Sequence, residues 1–293
     1  MSKIKIAELF YSIQGEGKFQ GVPSVFLRTF GCNFKCAGFG MPERILSTEA
    51  DDVAKQHKLT PITRYQDLPL VSTGCDSYAS WHPDFKDLSP MLTSDAIADR
   101  IMEIIPYKEW RDEHLVITGG EPLLGWQRGY TDLLDHPKMT ALKELTFETN
   151  GTQALTTDFR HYLLNWTLNS KYHTSGNRRG KDALTFSVSP KLENSGESRA
   201  DAICPDIITD YEDVGHTYLK FVVSIHDHVD EALEVTNIYR KAGFKGPVYL
   251  MPVGGVESVY FLNNKRVANL AMKYGLRYSA RLQCDLFSND WGT

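Results

Sequence analysis

The chain has 293 residues, 42% hydrophobic and 24% charged, proportions of an ordinary folded protein that argue against both disorder and a membrane protein. Its 32 basic and 37 acidic residues leave a formal net charge of −5, which excludes a surface built throughout to track nucleic-acid phosphates, though not a local basic patch. No apolar run approaches the roughly 20 residues needed to cross a bilayer, and the opening Met1-Ser2-Lys3-Ile4-Lys5-Ile6 carries no export signal, so a cytoplasmic protein is expected.

In chain order, the first β-rich run is 24–30, followed by Gly31, Cys32 and Cys36. A long stretch of mixed character, 37–74, then breaks the rhythm before Cys75. Ser94 is placed to cap a helix carrying Ile97, Ile101, Ile104 and Ile105 on one face. Strand-like runs follow at 114–118, 145–148, 184–189, 218–224 and 248–251. Residues 169–182 are polar and hold Arg178, Arg179 and Lys181, read as a solvated loop, with a phosphate or RNA contact as the weaker alternative. Asp227 opens a helix with Ala232, Val235 and Tyr239 at three-and-four spacing and Gly243 near its end, and 264–274 forms another, closed by Gly275. Strands alternating with helices predict a parallel sheet with crossover helices, in which ligands gather at the carboxyl ends of the strands. The clusters Gly119-Gly120-Glu121-Pro122, Thr149-Asn150-Gly151-Thr152 and Ser189-Pro190-Lys191 all follow strands. That placement predicts one active face.

The five cysteines stand at 32, 36, 75, 204 and 284. An odd number without an export signal does not make a disulfide framework. Three in the first quarter of the chain suggest a metal or cluster site, for which thiolates favour iron–sulfur clusters, zinc or copper(I). Taken alone, Cys32-x3-Cys36 also fits two buried thiols packed as small hydrophobes. Zinc is a further alternative, with His82 the nearest candidate fourth ligand.

Gly31-Cys32-Asn33-Phe34-Lys35-Cys36 resembles the start of a radical SAM cluster loop. The usual third cysteine would fall at Phe39. Gly74-Cys75-Asp76-Ser77 instead resembles the end of that loop in the 7-carboxy-7-deazaguanine synthases, so 37–74 reads as an insertion between second and third ligands. Ser12-Ile13-Gln14-Gly15-Glu16-Gly17, Thr118-Gly119-Gly120-Glu121-Pro122, Glu148-Thr149-Asn150-Gly151-Thr152, Ser187-Val188-Ser189-Pro190-Lys191 and Met251-Pro252-Val253-Gly254 are similar to segments of the same family and occur in its order.

The resemblance implies a single α/β domain over 1–293, a modified partial (β/α) TIM-like barrel of the radical SAM type. It implies a carbon–nitrogen lyase that converts 6-carboxy-5,6,7,8-tetrahydropterin to 7-carboxy-7-deazaguanine with release of ammonia, in deazaguanine and queuosine precursor synthesis. Cys32, Cys36 and Cys75 would hold a [4Fe–4S] cluster. S-adenosylmethionine (SAM) would lie against Gly74, Asp76, Gly119, Gly120, Glu148, Ser189, Pro190, Lys191, Met251, Pro252, Val253 and Gly254. Gly119 and Gly120 lack side chains, so backbone can approach a ligand closely, although alone they would mark only a tight turn. The substrate would meet Ile13, Gln14, Gly15, Glu16, Arg28 and Thr118. Gln14 offers donor and acceptor to a pterin edge, and Arg28 a planar fork to a carboxylate, unless it is spent on a salt bridge, for instance to Glu16. Ser77 stands where the family has a threonine at a Mg²⁺ site and keeps a hard oxygen.

A one-electron donor such as a flavodoxin and a homodimer are implied, with neither nucleic acid nor membrane as partner. Cys204 and Cys284 match no ligand position. Two rivals are another radical SAM enzyme, such as a glycyl-radical activase, and a zinc-stabilised binding module without turnover. For 37–74 a lid, a partner surface and a neutral elaboration are equal readings.

Overall fold

The computed structural model describes residues 2–168 and 180–293. Arg178 and Arg179 lie outside them, and with them the reading of that basic loop. The chain opens with a hairpin of two antiparallel strands, β1 (Lys3–Ile13) and β2 (Pro23–Thr29), and β1 carries the short β3 (Met91–Thr93) on its other edge. From β2 onward every pairing is parallel, through β4 (His114–Gly119), β5 (Leu145–Thr149), β6 (Leu184–Val188), β7 (His216–Val223), β8 (Val248–Pro252) and β9 (Arg277–Tyr278). The order is β3-β1-β2-β4-β5-β6-β7-β8-β9, with β3 and β9 at the two ends. The sheet is a partial barrel, as expected.

Helices of the described chain are α1 (Glu49–Leu59), α2 (Ser94–Ile104), α3 (Gln127–Leu134), α4 (Thr157–Leu168), α5 (Arg199–Ala202), α6 (Pro205–Val214), α7 (His226–Ala242), α8 (Glu257–Tyr274) and α9 (Leu282–Phe287). The predicted strand runs match β2 and β4 to β8 to within about two residues at each end. Strand β1 has no counterpart among them, because a register shift between Ile6 and Glu8 breaks its alternation. Thr93, not Ser94, caps α2: its extended backbone lets Oγ1 accept from the Ala96 N–H at 3.3 Å, the geometry an N-cap requires. Helix α8 starts at Glu257, well before residue 264.

Side chains alternate across each strand. One face carries Val25, Leu27, Leu115, Ile117, Leu145, Phe147, Phe186 and Phe221 into a single core with residues of α2, α3, α4, α6 and α7. The other face is polar near the strand ends. Arg28 lies opposite Thr118, and Glu148 opposite Ser187. Fixed register thus delivers charged groups from consecutive strands to one concave surface.

Residues 37–74 fold onto this frame. The Glu49 carboxylate at the start of α1 accepts from the Ser72 N–H and hydroxyl and the Thr73 hydroxyl, all at 2.6 Å. Ala54, Tyr65, Leu68 and Val71 form a small core with Ala7 of β1 and with Tyr78, Ala79 and Phe85. Trp291, near the other end of the chain, sets its ring edge-on to Tyr65 and Tyr78 at 5.8 and 5.6 Å.

Candidate active site at the carboxyl ends of the strands

A cavity of about 240 Å³ opens where β2 and β4 to β8 end, with residues of β1 and of the loop after it also in its wall. Ile13, Gln14, Gly15, Glu16, Arg28 and Thr118 all line it, as do Cys32, Cys36 and Cys75. So do Gly74, Asp76, Ser77, Gly119, Gly120, Glu148, Ser189, Lys191, Met251, Val253 and Gly254. Of the predicted site residues, Pro190 and Pro252 do not.

The three cysteines line one cavity because the two ends of residues 37–74 are bonded to each other. The Gly74 N–H donates to the carbonyl of Phe39 at 2.7 Å, and the Ser47 N–H to that of Ala37 at 2.7 Å. The first of these bonds sets Cys75 one residue along from a backbone contact with Phe39. Gly74 has φ +79, a left-handed conformation that glycine takes without strain. The first two cysteines are anchored by Glu197, whose Oε1 accepts from the Lys35 and Cys36 N–H groups at 2.8 and 2.6 Å. Gly120 backs them: a Cβ there would meet the Gly31 carbonyl at 2.4 Å and Cys32 Cβ at 2.8 Å. The close approach that absence permits is to the cysteine loop itself.

Burial pushes the Cys32 thiol up to about 12 and Cys75 up to about 11, and raises Cys36 as well, with the neighbouring sulfurs adding to the shifts of Cys32 and Cys36. Three mutually repelling thiolates in an apolar pocket need an electropositive centre. Thiolates suit an iron–sulfur cluster, whose ligands go to different irons. Cys204 and Cys284 do not line the cavity.

Above the cysteines lies the polar row. Gln14 Nε2 donates to Glu148 Oε1 at 3.1 Å, and the Thr118 hydroxyl donates to Glu148 Oε2 at 3.0 Å. Arg28 Nε pairs with Glu8 at 3.0 Å and Nη1 donates to the Ser77 hydroxyl at 3.0 Å; Nη2 has no partner among the described residues. The salt bridge is therefore made to Glu8, not Glu16. Burial raises the Glu8 carboxyl, offset in part by Arg28, and Glu8 Oε1 is left without a partner.

Glu16 is committed elsewhere. Its Oε2 pairs with Lys220 of β7, while Oε1 accepts from Arg281 Nε at 3.2 Å and Gln283 Nε2 at 2.7 Å. Burial alone would push this carboxyl up, but Lys220 and Arg281 outweigh it and hold it down at about 2. Arg281 also donates to the Gly254 carbonyl and, at 2.5 Å, to Asp76 Oδ2. Ser77 and Asp76 offer the oxygens magnesium prefers, but a guanidinium already sits on each, and the residues present do not fit the ion.

Several of these residues escape sequence reasoning. Glu8, Glu197, Lys220 and Arg281 carry no local motif. Glu121 does sit in one: its buried carboxylate accepts from the Leu123 N–H, the Thr149 hydroxyl and the Asn150 N–H at 3.0, 2.8 and 2.7 Å, tying the loop after β4 to the loop after β5.

An open parallel barrel whose first parallel strand runs into three gathered cysteines, backed by a Gly-Gly turn, defines a radical SAM enzyme. A 7-carboxy-7-deazaguanine synthase from Halobacterium salinarum is 30% identical over 298 residues, spanning 98% of this chain and 91% of that protein. The chain belongs to the 7-carboxy-7-deazaguanine synthase family. Proteins of the same name from Rhodopirellula baltica and Pyrobaculum aerophilum are 29% and 24% identical, over 100% and 99% of this chain and 90% and 97% of theirs. The crystal structure of QueE from Escherichia coli shares the fold, with a TM-score of 0.53 and 18% identity over 95% of this chain and 93% of that one. No family model matches the chain. The family implies a [4Fe–4S] cluster and SAM as cofactors, and the three thiols that line the cavity are the kind of donor such a cluster takes.

Proposed function

We propose that this chain converts 6-carboxy-5,6,7,8-tetrahydropterin to 7-carboxy-7-deazaguanine with release of ammonia. The observation that carries this reading is the convergence of Cys75 on Cys32 and Cys36, below a row of polar side chains suited to a carboxylated pterin. When bound by Cys32, Cys36 and Cys75, the cluster supplies an electron for cleavage of SAM to a hydrogen-abstracting radical. The chain does the rest. Gly74, Asp76, Gly119, Gly120, Ser189, Lys191, Met251, Val253 and Gly254 line the wall on which SAM would rest, while Pro190 and Pro252 shape its backbone from outside the cavity.

Arg28 holds the substrate carboxylate through its unpaired Nη2, and its Nε and Nη1 bonds fix the guanidinium plane. Gln14, Ile13, Gly15 and Thr118 frame the pterin ring. Glu148, which the resemblance assigns to SAM, is bonded to Gln14 and Thr118 and orients both toward the substrate. The inserted segment and residues 289–293 close the cavity on one side, which keeps water from a reactive radical. A flavodoxin-type electron donor, a homodimer and a cytoplasmic location belong to the same proposal. Among the described residues no helix is long and apolar enough to cross a membrane.

The test is anaerobic reconstitution with iron and sulfide, followed by SAM, a one-electron reductant and 6-carboxytetrahydropterin. The deazaguanine product is expected, with ammonia in equal amount. A colourless protein that carries zinc and no iron would refute this reading in favour of a binding module.

A further inference from the structure

Arg281 is 6% exposed, and each nitrogen of its guanidinium serves a different part of the site. Nε bonds Glu16 in the loop after β1, Nη1 the Gly254 carbonyl after β8, and Nη2 Asp76 of the cluster loop. Ser77, next to Asp76, accepts from Arg28 Nη1 at 3.0 Å and donates to Asp76 Oδ1 at 3.3 Å. A magnesium ion needs oxygen ligands at about 2.0–2.1 Å in near-ideal octahedral array. On Asp76 Oδ2 it would confront a guanidinium nitrogen 2.5 Å from the same oxygen. The charges also close without it: Glu16 and Asp76 carry two negative charges, Lys220 and Arg281 two positive ones.

We propose that the Arg281 guanidinium is a built-in cation, bonded to Asp76 beside Ser77, the residue at which the family resemblance places magnesium, so that this chain works without a divalent ion. The inference rests on the function proposed above, in which Asp76 lines the SAM wall of the site next to Ser77. Arg281 acts through Asp76 and Glu16 as a positioning residue. It supplies fixed positive charge beside the substrate and spares the site the assembly of a hydrated ion.

The experiment uses the full chain, cluster-reconstituted and freed of divalent ions on a chelating resin, with SAM and 6-carboxytetrahydropterin present. The probe is Mn²⁺, which takes magnesium's oxygen ligands and is followed by electron paramagnetic resonance. No saturable Mn²⁺ site is expected in the wild type. Arg281→Ala should gain one, and Asp76→Asn in that background should lose it. Arg281→Lys, which keeps the charge and guards against a folding defect, should bind no Mn²⁺. Wild-type turnover should be the same with and without Mg²⁺. Arg281→Ala turnover should fall by about 10- to 100-fold, the loss expected for a contact to a charged group, and recover in part with Mg²⁺. Saturable Mn²⁺ binding to the wild type, displaced by Mg²⁺, overturns the proposal, as does turnover that requires Mg²⁺. A wild type inactive under both conditions counts against the proposed function, and the Mn²⁺ titration then still decides the role of Arg281.

Discussion

The two ends of the cavity, each partly to fully buried, are electrostatically opposite. At one end Cys32, Cys36 and Cys75 sit beside Phe34 and Ala202, and burial holds their thiols protonated with no carboxylate–cation pairing of their own. At the other, Glu16, Lys220, Arg281 and Asp76 neutralise one another, and Glu16 stays ionised. The contrast separates an end whose donors suit a metal centre from one whose charges are paired within the chain. The thiol end is satisfied only by an electropositive centre; the ion-paired end is complete in itself and offers the substrate a fixed field at no cost of reorganisation.

Breaking the paired end should have the largest effect on the fold. Glu16→Gln strands Lys220 and Arg281 without their shared anion, and removal of one partner from a buried ionic network costs about 3–5 kcal/mol. Urea unfolding should show that loss; a loss below about 1 kcal/mol, the range of exposed pairs, would mean that solvent already screens the network. Next comes the seam between the ends. Arg28→Ala should raise the substrate KM by roughly 10- to 100-fold while SAM binding, followed by equilibrium titration, is unchanged. Glu8→Gln frees the guanidinium without removing it and should give a smaller rise. Equal loss of SAM and substrate binding in Arg28→Ala would end its assignment to the carboxylate.

The effect that is smallest near neutral pH belongs to the opposite rim of the sheet, at the start of β4. His114 is buried between the Thr146 hydroxyl at 2.8 Å and the Phe19 ring, and burial pushes its imidazole down to about 3. An unfolded histidine takes up its proton near pH 6.5, so the unfolded state binds more protons as pH falls from about 6.5 toward 3. Stability contributed by the neutral ring is therefore complete above that window and declines through it by at most about 1.4 kcal/mol per pH unit. His114→Gln should flatten this slope and change nothing in the pH profile of turnover near neutrality. A slope unaltered by the substitution would show that another group titrates there.

Much of the frame is legible in the sequence because strands and turns are local. Each apolar run from residue 114 to 251 is a strand, and each polar cluster after it reaches the cavity. Motif residues such as Gln14, Thr118 and Lys191 meet there for the same reason. The electrostatics are another matter. Glu16 meets Lys220 and Arg281 across 204 and 265 residues of chain, and no spacing rule foretells pairings that arise only when the sheet curls. Arg28 shows the middle case: its fork is visible as a residue type, but its partner Glu8 lies on β1, a strand hidden by its own bulge. Ser77 is visible as a residue type, but the bond its hydroxyl accepts from Arg28 is not.

The central claim is that the cluster loop is split, with Cys75 completing it across the insertion. Iron content and visible absorption after anaerobic reconstitution test this most directly, with Cys75→Ala, Cys32→Ala and Cys204→Ala compared with the wild type. The split loop predicts that Cys75→Ala loses the cluster as completely as Cys32→Ala, while Cys204→Ala keeps it. Full iron and full activity in Cys75→Ala would contradict it.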